Sequence, residues 1–210
     1  MTNPVIENVR HSLGRTAQAP IGLPPRIFPA RQPGSAEVEI ERFFGEIKKL
    51  SGVGQRLTPG GLAGALKALV AEQDIRKAAL WSTPRLQSLG LPSALRDLGV
   101  QLVSPNADKH ELAQCDLGIT ETDFILPETG TLVLRCSAEK PRAVSLLPRV
   151  HLAMINPSAL RADMHQVFAE AKDSHYLVFI TGPSRTADIE LTVTLGVHGP
   201  KNLYVWMMAA

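Results

Sequence analysis

A polar turn near the carboxyl terminus carries the residue types with the clearest chemistry. Residues 176–181 form an apolar run that is typical of a strand, and Gly182, Ser184, Arg185 and Thr186 follow it. A guanidinium and two hydroxyls can donate charge-assisted hydrogen bonds to a carboxylate or a phosphate. Ligands of parallel α/β sheets bind beyond the carboxyl ends of strands, and a helix that began here would add free N–H groups. We therefore predict that this turn binds an anion.

A purely structural interpretation of the same turn stays open. Ser184 would then only cap a helix, and Arg185 would pair with Asp188 or Glu190. The turn is not a P-loop, because the lysine and the glycine spacing of that motif are absent.

A second polar turn interrupts an apolar stretch in the middle of the chain. Residues 124–126 and 132–134 flank Glu128, Thr129 and Gly130, so a tight turn is predicted to hold a carboxylate where two strand segments meet. Glu128 would be a nucleophile or a general base if burial made its carboxylate more basic. The alternative is that Gly130 only supplies a positive φ and that the turn has no chemical role.

Two histidines are further candidates for polar contacts. His151 begins a predicted strand, and His198 lies between Gly196 and Pro200. Either imidazole would donate a proton or anchor a ligand if it faced a cleft. A buried and hydrogen-bonded structural role is the alternative for both.

The cysteines argue against a metal or iron–sulfur centre in this chain. Cys115 and Cys136 are the only two, and neither belongs to a CxxC motif. The sequence also lacks HExxH and any close cluster of three ligand-type residues. We expect two ordinary buried thiols in a reducing, cytoplasmic setting, with no disulfide framework, no metal and no intrinsic cofactor.

Composition excludes several classes of protein. The chain has 210 residues, of which 44% are hydrophobic and 20% are charged, so it can form a packed core. The formal net charge is only +2, and the small excess of basic side chains lies within residues 1–34. A nucleic-acid binder would carry a dense basic surface. No apolar run approaches the roughly 18 residues of a membrane span, and the first residues do not resemble a secretory signal.

The pattern of apolar residues predicts one α/β domain over residues 35–210, preceded by a leader over residues 1–34. A short helix is predicted at residues 4–13, and five prolines between residues 20 and 33 indicate an extended linker. Helices are then predicted from residue 40 to near Gly52, from Pro59 onward, and from a cap at Asn156 to Ala171. Residues 189–197 alternate like a strand but follow an apparent first helical turn, so their structure is left open.

Short apolar runs predict the strands of an open, mostly parallel sheet with flanking helices. Such unalternating runs suit strands that are covered on both faces. They are residues 78–81, 100–103, 117–120, 131–134, 151–155, 176–181 and 203–207.

Four motifs carry a family resemblance. Residues 118–132, 144–151, 180–190 and 196–200 together resemble the lactate-utilisation protein C family, whose shared module is the LUD domain. The resemblance implies the open α/β fold of sugar-phosphate isomerases and CoA transferases. It also implies a three-part bacterial system that oxidises L-lactate to pyruvate, in which partner proteins carry the iron–sulfur clusters.

These observations lead to one main functional hypothesis and two alternatives. The main hypothesis is a subunit of an L-lactate-oxidising assembly that holds a small carboxylate or phosphate in a cleft formed by both polar turns. The first alternative is an independent enzyme of the CoA-transferase or sugar-phosphate-isomerase type that uses Glu128; this role rests on fold analogy. The second is a non-enzymatic scaffold or regulatory partner.

Overall fold

The computed structural model describes residues 4–14, 31–186 and 194–208. The chain divides into two units, residues 1–30 and residues 31–210. In the first unit, helix α1 (Pro4–Ser12) agrees with the helix predicted for residues 4–13. Most of the predicted proline-rich linker falls on residues 15–30, outside the described residues. Its extended form and the domain boundary after residue 34 therefore stay predictions.

The second unit alternates strands and helices. The strands are β1 (Val53–Leu57), β2 (Lys77–Leu80), β3 (Gln101–Val103), β4 (Leu117–Glu121), β5 (Phe124–Leu126), β6 (Thr131–Arg135), β7 (Val150–Ile155), β8 (Leu177–Ile180), β9 (Arg185–Thr186), β10 (Thr194–Leu195) and β11 (Asn202–Met208). The helices are α2 (Ala36–Lys49), α3 (Leu62–Glu72), α4 (Pro84–Ser88), α5 (Leu91–Asp97), α6 (Lys109–Ala113), α7 (Ala143–Leu146) and α8 (Met164–Glu170). Two short 3₁₀ turns occupy Pro59–Gly61 and Pro157–Ala159.

A six-stranded parallel sheet forms the centre of this unit. Its strand order is β1-β11-β7-β4-β2-β3, and every neighbouring pair is parallel. β7 and β11 are buried along almost their whole length, as expected for strands with helices on both faces. The predicted α/β class with an open, mostly parallel sheet is confirmed. We call the two rims of this sheet its amino edge and its carboxyl edge, after the strand ends that meet there.

A smaller antiparallel sheet lies beside the parallel one. Its order is β5-β6-β8, and it covers a separate small core that includes Phe124, Val133 and Val167. The predicted tight turn between two strand segments is confirmed, because β5 and β6 form a hairpin around Gly130, which has a φ of 62°. The placement of residues 131–134 and 176–181 in the parallel sheet was wrong. An apolar run indicates a buried strand but does not identify its partner.

Three further elements differ from the sequence-based prediction. β1 was missed, because its sequence Val-Gly-Gln-Arg-Leu contains no apolar run. The helix expected from Asn156 to Ala171 is interrupted, because Leu160 forms a bridge to Ile125 of β5 and Asp163 caps a new helix, α8. The helical turn expected at Thr186 is instead strand β9, which pairs with β10. Of the undecided residues 189–197, only 194–197 are described.

Helices approach the parallel sheet closely at two glycines. A Cβ atom at Gly118 of β4 would lie 1.9 Å from the carbonyl oxygen of Val144 in α7. A Cβ atom at Gly54 of β1 would lie 2.2 Å from Cδ1 of Phe44 in α2. Both distances are far below a van der Waals contact. At Gly118 the clash is with backbone, so α7 can pack there only against a residue without a side chain, whereas at Gly54 the Phe44 ring would have to move. Within the described residues, no helix is long and apolar enough to cross a membrane.

Gly118→Ala is expected to lower the free energy of unfolding by about 1–3 kcal/mol, because α7 must move away from β4. Gly64→Ala is the matched control. Gly64 lies in α3 with no atom near its missing Cβ, so this change should raise stability by up to about 1 kcal/mol through helix propensity. Urea unfolding of both variants measures the difference. Equal stability of the two variants would contradict the proposed close packing.

Candidate functional site

A cavity of about 160 Å³ lies where the carboxyl end of β8 approaches the amino edge of the parallel sheet. We call it the histidine cavity. Its lining residues are Ser145, Leu146, His151, Phe179, Ile180, Thr181, Gly182, Pro183, Ser184, His198, Gly199, Pro200 and Leu203. Four predicted site residues, His151, Gly182, Ser184 and His198, therefore come together here. Among the described residues, the lining includes no Lys or Arg.

The position of this cavity corrects one sequence-based expectation. A ligand was expected beyond the carboxyl end of a parallel strand, after residue 181. β8 belongs to the antiparallel sheet, however, and its end points toward the start of β7 and β11. His151 is the second residue of β7, and it pairs in register with Leu203, the second residue of β11. The cavity therefore lies at the amino edge of the parallel sheet.

His151 is a buried polar group on the wall of this cavity. Its side chain is buried, and its Nε2 lies 2.8 Å from Oγ1 of Thr120 on the neighbouring strand β4. Burial lowers the pKa of His151 to about 3, so the imidazole is neutral near pH 7. Its Nδ1 is buried and has no hydrogen-bond partner among the described residues. A ligand that bonded to Nδ1 would therefore satisfy an orphaned polar atom.

The opposite wall is formed by the segment after β8 and the segment before β11. The amide of Ser184 donates to the carbonyl of Pro200 over 2.9 Å, and the amide of Gly196 donates to the carbonyl of Ser184 over 3.0 Å. A Cβ atom at Gly199 would lie 3.2 Å from Cβ of Ser184, so the two segments pack closely at this glycine. His198 is exposed on the same wall. These contacts place the Ser184 hydroxyl and the His198 imidazole beside the cavity.

Arg185, which was predicted to bind an anion, forms hydrogen bonds at the end of helix α2 and does not line the histidine cavity. Its guanidinium donates to the carbonyl of Leu50 and to Oγ of Ser51, at the carboxyl end of α2. A cation at that helix end stabilises the unpaired carbonyls. Arg185 is not among the residues that line the histidine cavity, and Thr186 pairs with Thr194 in β9 and β10. The alternative pairing of Arg185 with Asp188 or Glu190 lies outside the described residues.

Glu128 lies on the hairpin turn, outside the histidine cavity. Its side chain is 56% exposed, and its carboxylate lies 3.9 Å from Nε of Arg31 and 3.7 Å from a terminal nitrogen of Arg42. The burial on which a nucleophilic or general-base role was expected to depend is therefore absent. Gly130 does serve the turn geometry, because a Cβ there would lie 2.9 Å from Cβ of Glu46 in α2. A catalytic role for Glu128 stays a prediction.

A chain of hydroxyl groups nevertheless connects the two predicted turns. Oγ1 of Thr129 lies 2.7 Å from Oγ1 of Thr131, which in turn lies 2.8 Å from Oγ1 of Thr181. Thr181 lines the histidine cavity, whereas Thr129 is exposed next to Glu128. The two turns are thus joined by hydrogen bonds through the buried Thr131, although their charged side chains do not share a cleft.

Sequence analysis missed several of these polar residues. Thr120 and Thr131 both lie inside apolar runs, and Ser145 precedes β7 in α7. A threonine in an otherwise apolar buried strand is a usable signal, because its hydroxyl requires a partner. The identity of that partner was not predictable, since Thr120 and His151 are separated by 31 positions in the chain.

The described residues contain no group of three His, Cys, Asp or Glu side chains arranged to hold a metal ion. Burial raises the pKa of Cys115 to about 11, so this thiol stays protonated at neutral pH. The absence of an intrinsic cofactor remains a prediction.

The neutral state of His151 makes stability depend on pH. In the unfolded chain its pKa returns to the ordinary value of 6.5, so between about pH 3 and 6.5 the unfolded state binds one more proton than the folded state. The neutral imidazole makes its full contribution to the free energy of unfolding above about pH 6.5, and this contribution is lost as the pH falls toward 3. The free energy of unfolding should therefore fall by roughly 1 kcal/mol from about pH 7.5 to about pH 5.5.

His151→Gln should remove this slope, and His110→Gln, at an exposed histidine, should keep it. Urea unfolding at the two pH values measures both variants. An unchanged slope in His151→Gln would mean that His151 is not held neutral by burial.

Comparisons with known proteins agree with the fold. The LUD domain family model matches residues 63–208, which is more than half of the chain. Lactate utilization protein C of Shouchella clausii is 35% identical over 156 residues, covering 70% of this chain and 68% of that protein. Lactate utilization protein C of Halalkalibacterium halodurans is 37% identical over 150 residues, covering 66% of this chain and 65% of that protein. The chain thus spans about two thirds of the length of these relatives.

A solved structure supports the same architecture. The crystal structure of a DUF162 family protein from Deinococcus radiodurans has a TM-score of 0.64, with 21% sequence identity. The match covers 84% of this chain and 100% of the other. At that identity it bears on the fold alone. Taken with the family model and the two sequence relatives, it leads to the conclusion that this chain is a member of the LUD domain family and a relative of the lactate utilization C proteins.

Proposed function

We propose that this protein is a component of a bacterial L-lactate utilisation system and that its histidine cavity binds a small 2-hydroxy or 2-oxo acid such as L-lactate or pyruvate. The relatives named lactate utilization protein C support the first part. The single observation that carries the second part is the buried, unpartnered Nδ1 of His151 on the wall of a small cavity.

The size of the cavity favours a ligand of this class. A protein cavity of about 150 Å³ can hold benzene, which has six non-hydrogen atoms. The histidine cavity has about 160 Å³, and L-lactate and pyruvate each contain six non-hydrogen atoms. Typical pockets for drug-sized ligands are larger, at about 300–1,000 Å³. A nucleotide or an acyl-CoA would therefore not fit inside it.

The lining also favours a ligand that is apolar on one side and polar on the other. Leu146, Ile180 and Leu203 offer a surface for a methyl group. Nδ1 of His151 would bond to the 2-oxygen of the ligand. It would donate to that oxygen in one tautomer and accept from a hydroxyl in the other, depending on whether Thr120 donates or accepts at Nε2. The carboxylate would lie toward the exposed side, near Ser184 and His198.

We propose further that the oxidation itself needs partner proteins with iron–sulfur clusters. An iron–sulfur cluster is commonly held by four cysteine thiolates, and this sequence contains two cysteines. Cys115 is buried, and the raised pKa of its thiol disfavours the thiolate that would bind iron. In this arrangement the chain binds the small acid, and electrons pass through other subunits in the cytoplasm.

Expression of this chain in a bacterium that lacks its own lactate utilization protein C tests the first part. Growth on L-lactate should be restored, and growth on glucose should be unchanged by the deletion or by the complementation. A complemented strain that still fails on L-lactate, although the protein is present in the cell extract, would contradict the assignment to this system.

Calorimetric titration of the purified protein tests the ligand. L-lactate or pyruvate should bind, and propionate, which lacks the 2-oxygen, should bind about tenfold more weakly because Nδ1 of His151 stays unpaired. Ser184→Ala should also weaken binding by about tenfold through the loss of one hydrogen bond to the carboxylate. Ser93→Ala, at an exposed serine of α5, is the control and should bind as the wild type does. Equal affinity for lactate and propionate would exclude the role of His151.

A further inference from the structure

A second, larger cleft lies at the carboxyl edge of the parallel sheet, at the opposite ends of the strands from the histidine cavity. It measures about 400 Å³. Its lining residues are Leu80, Trp81, Ser82, Gln87, Pro92, Arg96, Leu102, Val103, Ser104 and Pro105. We call it the Arg96 cleft. β2 and β3 are parallel neighbours, so the segments that follow them, which contain Ser82 and Ser104, leave the sheet side by side.

The cleft lies at the edge of the sheet that α/β proteins use for ligands, because ligands of open α/β sheets bind outside the carboxyl ends of the strands. After β2 the chain moves outward to β3 and then returns to the other side of β2 to form β4, so the direction of winding reverses between β2 and β4. The Arg96 cleft lies next to that reversal, between the ends of β2 and β3. No site was predicted at these residues from the sequence.

Three of the polar side chains that line the cleft have no partner within the described part of the chain. Arg96 is exposed and forms no hydrogen bond or ion pair there, and the side chains of Ser82 and Gln87 form none either. The Ser104 hydroxyl oxygen accepts from the amide of Asn106 over 3.2 Å, so its hydrogen remains available to donate. By contrast, most other arginines of this unit bind a carboxylate or a carbonyl oxygen, as Arg56 and Arg161 do. Arg96 is thus an uncompensated cation at the rim of a cleft with three further donors.

We propose that the Arg96 cleft binds a small phosphate ester. A guanidinium and separate hydroxyl and amide donors suit the several oxygens of a phosphate group better than the two oxygens of a carboxylate. The apolar remainder of the lining, including Leu80, Leu102 and Pro92, would contact the organic part of the ester. A volume of about 400 Å³ exceeds the need of inorganic phosphate and lies within the range of about 300–1,000 Å³ for ligand pockets. This site is independent of the proposed lactate site.

Calorimetric titration of the full chain with inorganic phosphate, glycerol 3-phosphate, glucose 6-phosphate and AMP tests this proposal. At least one ester should bind saturably and more tightly than inorganic phosphate. Arg96→Gln should weaken that binding by about tenfold or more, because it removes a charge-assisted contact. Arg96→Lys keeps the charge but loses the fork of donors, so its affinity should lie between those of the wild type and Arg96→Gln.

Two control variants make the result specific. Lys67→Gln removes one positive charge from an exposed position of α3 and should bind the ester as the wild type does. Ser184→Ala, in the histidine cavity, should also bind the ester normally, so failure of the lactate proposal and failure of this one are separable. The proposal is overturned if no ester binds saturably, if inorganic phosphate binds as tightly as every ester, or if a correctly folded Arg96→Gln retains the wild-type affinity.

Discussion

Contact with the carboxyl-terminal half of α2 fixes the small antiparallel sheet against the parallel one. Gly130, in the β5–β6 turn, lies so close to Glu46 that a side chain would not fit, and Gly182, after β8, lies equally close to Leu50. Arg185 adds a hydrogen bond to the carbonyl of Leu50. Both polar turns therefore take their positions from one helix. The histidine cavity exists because this helix holds the end of β8 near the start of β7 and β11.

Local patterns in the sequence were sufficient for the parts of the fold that depend on local physics. Ser35 caps α2, and the spacing of Ile40, Phe43 and Ile47 creates its buried face, so this helix could be predicted. The buried strands of the parallel sheet could be predicted from their unbroken apolar runs. The division into two sheets could not, because the hydrogen bonds between β6 and β8 join residues that are more than forty positions apart. The break after Ala159 has the same cause, since Leu160 pairs with Ile125.

For the candidate site as well, residue types could be predicted from the sequence, whereas contacts between distant residues could not. Of the predicted site residues, His151, Gly182, Ser184 and His198 line one cavity, and their role in binding a ligand stays a prediction. The charged members of the set, Arg185 and Glu128, instead have partners on or beside α2 that lie far from them in the sequence. Such long-range pairing decides whether a charge is available to a ligand. As a result, neither Arg185 nor Glu128 lines the cavity, whereas the sequence alone suggested a cleft that contains both.

The hydrogen bonds of the threonine hydroxyls between the cavity and the hairpin turn have a donor-to-acceptor direction. Each hydroxyl has one hydrogen to donate, so a hydroxyl that donates to one neighbour must accept from the other. A molecule that accepts a hydrogen from Thr181 sets that direction toward the cavity, because Thr131 must then donate to Thr181 and Thr129 to Thr131. A molecule that donates to Thr181 sets no direction, since the Thr181 oxygen can accept two hydrogen bonds. Only a bound acceptor would therefore fix, through the buried Thr131, the rotation of the Thr129 hydroxyl at the surface.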